Sequence, residues 1–179
     1  LNKYDGYTFT VYRHQQHNQA SIQSDHIRSL FVDNESNLWI GTASGISQYD
    51  SKKDVFKPYI INAQINDIIQ ITDSVLYVAT SNGLYAFSKN TTKYSPLTIE
   101  NSLNQSCQSL AKFNDLLFVG TTNGLYMSIV GNMNLVPFRK ELMGKNIMSI
   151  LPTIKGIWIA TEGHGLFFIG SDGRLKNYI

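Results

Sequence analysis

Cysteine, charge and proline are all scarce in this sequence of 179 residues. The single cysteine, Cys107, cannot form a disulfide within the chain and cannot build a cysteine-rich metal site. Only 16% of residues are Asp, Glu, Lys or Arg, against about a quarter in an average globular domain. The net charge is +2 and the basic residues are scattered, so the one-sided basic face that nucleic acid requires is missing. No apolar run approaches the ~18 residues of a membrane-spanning helix. The opening stretch, LNKYDGYTFT, lacks the charged-then-apolar plan of a signal peptide. Gly-x-Ser-x-Gly elbows and phosphate-cradling glycine loops are absent too.

Uncharged polar residues and aromatics are plentiful: the chain holds ten Tyr and nine Phe. Aromatic and β-branched residues fit pleated, half-buried surfaces, whereas Asn, Gly and Ser fit turns. The composition points to β-structure.

That structure repeats. LWIGTASG ends at Gly45, LYVATSNG at Gly83, LFVGTTNG at Gly124 and IWIATEGHG at Gly165, the last one residue longer. The aromatic positions Trp39, Tyr77, Phe118 and Trp158 are separated by 38, 41 and 40 residues. Upstream of each lies an apolar strand: IRSLFVD, INDIIQI, CQSLAKF and IMSILPT. Downstream come GISQYD, GLYAFS, GLYMSI and GLFFIG, then VFKPY, KYSPL, LVPF and LKNYI. Four short strands at a period of about 40 residues are the signature of a propeller blade. The missing 3.6-residue periodicity excludes a helical solenoid.

The turns agree. The second-to-third-strand turn ends in glycine in every unit, which predicts a positive φ or a close backbone approach. Asn82 and Asn123 make two of these Asn-Gly, a strong hairpin signal. The fold expected is all-β, a segment of four-stranded antiparallel blades. Whole blades are expected at about 22–59, 65–97, 106–138 and 147–179. LNKYDGYTFTVYRH aligns with the last two strands of a blade, giving a half blade at 1–13. Rings close with about four to eight blades, and a half blade at one end cannot close one, so the expectation is part of a larger ring. An open arc of this kind exposes the faces of its end blades and is expected to be poorly soluble by itself.

The run IRSLFVDNESNLWIGTASGISQYD resembles the two-component regulator propeller repeat, whose blade pattern is roughly I-x-x-L-x-x-D-x-x-G-x-L-W-I-G-T-x-x-G-L-x-x-Y-D. Ile27, Leu30, Asp33, Leu38, Trp39, Ile40, Gly41, Thr42, Gly45, Tyr49 and Asp50 match it. Asn37 stands where the glycine before Leu38 is expected, or shifts it. In the other units Tyr77 and Phe118 replace tryptophan, and Ala79 and Ala160 replace glycine. The resemblance implies a seven-bladed ring in the periplasmic sensor region of a hybrid two-component histidine kinase and response regulator. That region would bind a glycan-derived oligosaccharide, work as a homodimer with the rest of its propeller and ectodomain, and control transcription of polysaccharide-use genes. It implies no enzyme activity in this segment, no cofactor and no contact with nucleic acid.

In a propeller the second-to-third-strand turns and the blade-to-blade connections gather on one face, and loops there vary without cost to the scaffold. The residues expected to meet a ligand are Ser44, Asn82, Asn123, Glu162 and His164, beside the connections 14–26, 60–64, 98–105 and 139–146. Glu162 and His164 in the longer turn TEGHG either bond sugar hydroxyls or form a solvated turn. Trp39 and Trp158 have the chemistry to stack on a sugar, but an aromatic at that position in every unit reads as packing between blades. Cys107 occupies the place of Ile27, Ile65 and Ile147 and reads as a buried apolar stand-in. His14 and His17 are spaced for metal only on a helical turn; in RHQQHNQASIQSDHI they read as part of a flexible polar loop, with no metal. The alternatives are a protein–protein interaction propeller and, third, a propeller lyase or glycosidase.

Overall fold

The computed structural model describes residues 1–99, 105–132 and 134–178. The connection expected over 98–105 lies mostly outside the described residues, as do Met133 and Ile179. A short hairpin comes first, β1 (Asn2–Tyr4) and β2 (Phe9–Val11). Blade 1 is β3 (Ile27–Val32), β4 (Leu38–Thr42), β5 (Gly45–Asp50) and β6 (Val55–Tyr59). Blade 2 is β7 (Ile65–Thr72), β8 (Val75–Thr80), β9 (Gly83–Ser88) and β10 (Tyr94–Ile99). Blade 3 is β11 (Cys107–Phe113), β12 (Leu116–Thr121), β13 (Gly124–Ile129) and β14 (Asn134–Pro137). Blade 4 is β15 (Ile147–Thr153), β16 (Gly156–Thr161), β17 (Leu166–Gly170) and β18 (Leu175–Tyr178). A single 3-10 turn, Lys140–Leu142, lies in the connection before blade 4.

Within each blade the strands pair antiparallel in chain order. The sequence copies align in space: Leu30 faces Ile40, Ile68 faces Val78, Leu110 faces Val119 and Ile150 faces Ile159. All four first strands carry a register shift after their first residue, a bulge that bends and twists the strand. The β1–β2 hairpin matches the outer half of a blade in detail. Asp5 Oδ1 accepts from the amides of Tyr7 and Thr8, as Asp50 Oδ1 accepts from those of Lys52 and Lys53 in blade 1. One pairing was not foreseen. Blades 2 and 3 merge at their outer edge, where Thr98 and Ile99 pair parallel with Asn134 and Leu135.

The blades pack by a repeated contact. Trp39 shares a buried cluster with Ile68 of the next blade, Tyr77 with Leu110, and Phe118 with Ile150. Two residues beyond each aromatic the backbone itself meets the next blade. A Cβ on Gly41 would clash first with Ser29 Oγ of its own blade and would lie 2.7 Å from Ile65 Cγ2 of the next; one on Gly120 would clash first with Ser109 Oγ and lie 2.7 Å from Ile147 Cγ2. Isoleucine is branched at Cβ and cannot swing aside freely. In blade 2 the position is Ala79, which has that Cβ, and its counterpart in blade 3 is Cys107. Both are fully buried in one cluster. Cys107 is thus an apolar stand-in with a reason: it gives back the space that Ala79 takes. Burial pushes its thiol up to about 12, so it stays neutral and unreactive.

The pairing predicts coupled substitutions. Cys107→Ile overpacks the blade 2–3 junction and costs about 1–3 kcal/mol. Adding Ala79→Gly to that variant recovers most of the loss, although Ala79→Gly alone also destabilises. Urea unfolding of the four proteins of this cycle measures the coupling; simple additivity of the two losses would refute the contact.

Candidate functional site

The second-to-third-strand turns are built alike. Thr42, Thr80 and Thr121 are fully buried. Each hydroxyl donates to the carbonyl of the glycine three residues on, Gly45, Gly83 and Gly124, at 2.9, 2.8 and 2.9 Å. The same oxygen accepts from the amide two residues on, that of Ser44, Asn82 or Asn123. In blade 4 Thr161 reaches Gly165 across the extra residue, at 2.7 Å. The glycines take φ of 132°, 122°, 137° and 80°, the left-handed side that disfavours a Cβ. Asn82 and Asn123 do not share it. Each is the second residue of a two-residue loop, and the glycine after it opens the next strand. The Asn-Gly signal therefore marks the hairpin without being the mirror-image turn usually inferred from it.

Each turn is also tied to the connection entering its blade. The amides of Ala43, Ser81, Thr122 and Glu162 donate to the carbonyls of His26, Gln64, Ser106 and Asn146. This places the turns and the connections at one end of the blades. All five expected ligand residues lie there and are exposed. Ser44, Asn82 and Asn123 sit each in its own turn; Asn82 Nδ2 donates to Asn62 O at 3.3 Å. Glu162 and His164 are joined, His164 Nδ1 lying 3.0 Å from Glu162 O. A carbonyl only accepts, so Nδ1 carries a proton, and in the neutral ring Nε2 is left as an acceptor. Glu162 Oε2 accepts from Asn146 Nδ2 at 2.7 Å. The connection 139–146 spans two turns, because Gly144 N also donates to Asn123 O at 3.0 Å. The end of blades 3 and 4 thus offers a carboxylate, an imidazole acceptor and amides side by side.

The 14–26 connection is folded on its own hydrogen bonds. Ser21 Oγ donates to Asn18 O and accepts from Gln15 N. Ile22 is fully buried, and His14 Nδ1 is 2.8 Å from Ile22 O. His17 has φ 69°, so the two histidines do not share a helical turn. Among the described residues no group of three or more His, Cys, Asp or Glu side chains could hold a metal ion.

The opposite end holds a cluster centred on Asp33, a residue of the repeat pattern. Asp33 is buried. Its carboxylate accepts from Trp39 Nε1 at 3.0 Å, Lys89 Nζ at 3.1 Å, and the amides of Glu35 and Asn37 at 3.0 and 2.9 Å. Lys89 belongs to blade 2, so the cluster fastens blades 1 and 2. Ser36 in this turn has φ 64°. It is Ser36, not Asn37, that stands in the place of the family glycine. A second missed group is Asn66 and Asp67. Asn66 Nδ2 donates to Cys107 O at 2.7 Å, and Asp67 Oδ2 accepts from Leu110 N at 2.8 Å. The signal was an acid inside an apolar strand, where the other copies have serine.

Comparison with known proteins follows the same lines. Residues 21–44 match the family described as two component regulator propeller. No curated protein matches the sequence. The fold is similar to the extracellular domain of the putative hybrid two component system BT3049 from B. thetaiotaomicron, with TM-score 0.80 and 18% identity, over 95% of this chain and 24% of that one. It is similar to the corresponding domain of BT4673 from the same organism, with TM-score 0.74 and 22% identity, over 93% and 22%. A virginiamycin B lyase from Staphylococcus aureus is similar at TM-score 0.70 and 13% identity, over 88% and 57%. The chain spans about a quarter of the length of the two ectodomains. These likenesses establish the propeller fold.

Two predictions concern the Asp33 turn. Burial alone would raise the carboxyl above its ordinary 3.8, but donation from Trp39, Asn37 and Lys89 outweighs it and holds the group down to about 2. A depressed carboxylate stabilises the folded state fully above its ordinary value, and the contribution is lost as pH falls through about 2. The amount at stake is on the order of 2 kcal/mol. Acid unfolding should show this limb, and Asp33→Asn should flatten it. Ser36→Gly should raise stability by ~0.5–1 kcal/mol, because glycine carries no penalty in the left-handed region; an unchanged urea midpoint would count against that strain.

Proposed function

We propose that the chain is part of an extracytoplasmic sensor propeller of a hybrid two-component regulator, and that it binds a glycan-derived ligand. The observation that carries this reading is the match of residues 21–44 to the two component regulator propeller. The likeness of nearly the whole chain to ectodomains described as belonging to putative hybrid two component systems supports it. Among the described residues no helix is long and apolar enough to cross a membrane. In this reading the half blade at 1–13 and the blades at about 22–59, 65–97, 106–138 and 147–179 belong to one larger ring in the periplasm, the parent protein is a sensor kinase acting as a homodimer, and ligand binding controls transcription of polysaccharide-use genes.

The chemistry is differential binding. A ligand shifts the equilibrium only if it prefers one arrangement of the dimer; equal affinity for both shifts nothing. The ligand face would use Ser44, Asn82, Asn123, Glu162 and His164. Its hydrogen-bonding set suits hydroxyl groups: Glu162 and His164 Nε2 accept, and the asparagine amides both donate and accept. A glycosidase needs two carboxylates facing each other across about 5–10 Å. Glu162 is the one acid in these four turns, and it is held by an amide. That favours binding over hydrolysis.

Calorimetric titration of the protein with a panel of glycan oligosaccharides tests the proposal. Binding is expected. Glu162→Gln and His164→Ala should each weaken it about tenfold, the value of one hydrogen bond to a charged or well-placed partner. Silence across the panel overturns the reading. Turnover of an oligosaccharide that disappears in Glu162→Gln points instead to a lyase or glycosidase, and capture of a protein partner without glycan points to an interaction propeller.

A further inference from the structure

Three of the four blades have their trailing face closed by the next blade, each time in the same way. The second-strand aromatic (Trp39, Tyr77 or Phe118) is buried against the fourth residue of the next first strand (Ile68, Leu110 or Ile150). Two residues beyond the aromatic, the second strand meets the first residue of that strand. The size rule there is sharp. Glycine at 41 and 120 meets isoleucine, at 65 and 147; alanine at 79 meets cysteine, at 107. At two of the three junctions the carbonyl of that first residue is satisfied from the preceding blade, by Ser109 Oγ to Ile147 O at 3.4 Å and by Asn66 Nδ2 to Cys107 O at 2.7 Å; at the first junction the corresponding Ser29 Oγ makes no such bond.

Blade 4 presents the same surface without a cover among the described residues. Trp158 and Ala160 stand where Trp39 and Gly41 stand in blade 1. Ser149 pairs with Ala160 as Ser29 pairs with Gly41. Together with Leu151 and Leu166 these residues line an open, apolar cleft of 390 Å³. Leu151 is 60% exposed. Trp158 is half-buried, resting on Phe168 and Tyr178 of its own blade; the reading as inter-blade core is met for Trp39, and Trp158 has no neighbouring blade among the described residues.

We infer that this cleft seats a further four-stranded blade whose first strand opens with a small residue, of the size of cysteine or alanine, and carries an aliphatic residue three places on. Ala160 dictates the small residue, since its Cβ occupies the space that isoleucine fills beside Gly41 and Gly120. Trp158 receives the aliphatic residue, and Ser149 Oγ donates to the first carbonyl as Ser109 does. A second copy of this chain does not fit the requirement. Its exposed first strand opens with Ile27, followed by Leu30 at 56% exposure, and Ile27 would meet the Ala160 Cβ.

The test extends the full chain past Ile179 with a second copy of its own residues 100–138, once unchanged and once with Cys107→Ile in the appended copy. Acrylamide quenching reads the outcome: Trp39 is 1% exposed, so the accessible emission belongs to Trp158, and Trp158→Phe identifies it. The unchanged extension should abolish quenching of Trp158 and shift its emission to the blue in a monomer. The Cys107→Ile extension should leave Trp158 quenchable, and Ala160→Gly should restore protection to it. The inference is overturned if Trp158 stays quenchable with both extensions, if the isoleucine form seats as well as the cysteine form, or if the unextended chain protects Trp158 by associating with itself as concentration rises. An internal arm needs no extension. Gly120→Ala should lower the urea midpoint, and adding Ile147→Cys should recover the part of the loss due to Ile147 Cγ2, the contacts with Ser109 Oγ and Ile147 O accounting for the rest; no recovery at all overturns the size rule.

Discussion

The structure depends on how closely a second strand can approach the first strand of the next blade. At Gly41 and Gly120 the approach leaves no room for a Cβ. That distance sets everything beside it. It brings the aromatic two residues earlier onto the aliphatic side chain of the next blade, where burial of a large ring contributes most. It also brings a carbonyl of one blade within reach of a donor on the previous one. Blades 3 and 4 satisfy that carbonyl with Ser109. Blades 2 and 3 have Asp67 at the serine position, which cannot donate when ionised, and Asn66 supplies the donor instead. The carboxylate of Asp67 turns to the Leu110 amide. Burial raises its affinity for a proton, while the amides of Leu110 and Ile68 oppose that. Two paired differences thus mark this junction, Cys107 opposite Ala79 and Asn66 beside Asp67.

The two ends of the blades are held by different chemistry. At one end, buried threonines close the hairpins from within, and a backbone bond ties each turn to its entering connection. Neither device uses the side chains at the tip of the turn, so those side chains are free to vary with little effect on the hairpin. At the other end, Asp33 gathers donors from its own turn, from Trp39 and from Lys89 of the next blade. Removing any partner there leaves a buried charge short of donors, which is costly. Variation is tolerated at the first end and restricted at the second, the arrangement a recognition surface on a rigid scaffold needs.

Much of the fold was legible because the sequence repeats. The 40-residue spacing of Trp39, Tyr77, Phe118 and Trp158 located the strands, and the alignment of LNKYDGYTFTVYRH with two outer strands located the β1–β2 hairpin. What was missed shares one cause: it depends on contacts between units, which comparison of units in isolation hides. Cys107 reads as a deviation from isoleucine until Ala79 is seen opposite. Asp33 reads as a turn residue until Lys89 arrives from blade 2. Asn37 was aligned to the family glycine, whereas the positive φ belongs to Ser36. The merging of β10 with β14 through two residue pairs leaves no mark in either strand. For the candidate site, the turns and their exposure were readable, but the tie from Asn146 to Glu162 and the folded 14–26 loop were not, since both are made by polar side chains with no periodic signature.

The connection before blade 4 shows how a ligand on this face could act on the scaffold. Residues 139–146 are bonded to the Asn123 turn of blade 3 through Gly144 and to the Glu162 turn of blade 4 through Asn146. Leu142 within it is fully buried, in the cluster that joins blades 3 and 4. A molecule bound across these two turns touches a segment anchored in the junction between two blades. The junction is close-packed, and close-packed interfaces switch between discrete arrangements rather than deform smoothly. Contacts of a few hydrogen bonds at Glu162 and His164 would therefore bear on the angle between blades more than on the shape of either, and a rigid blade carries such a change of angle to its far end.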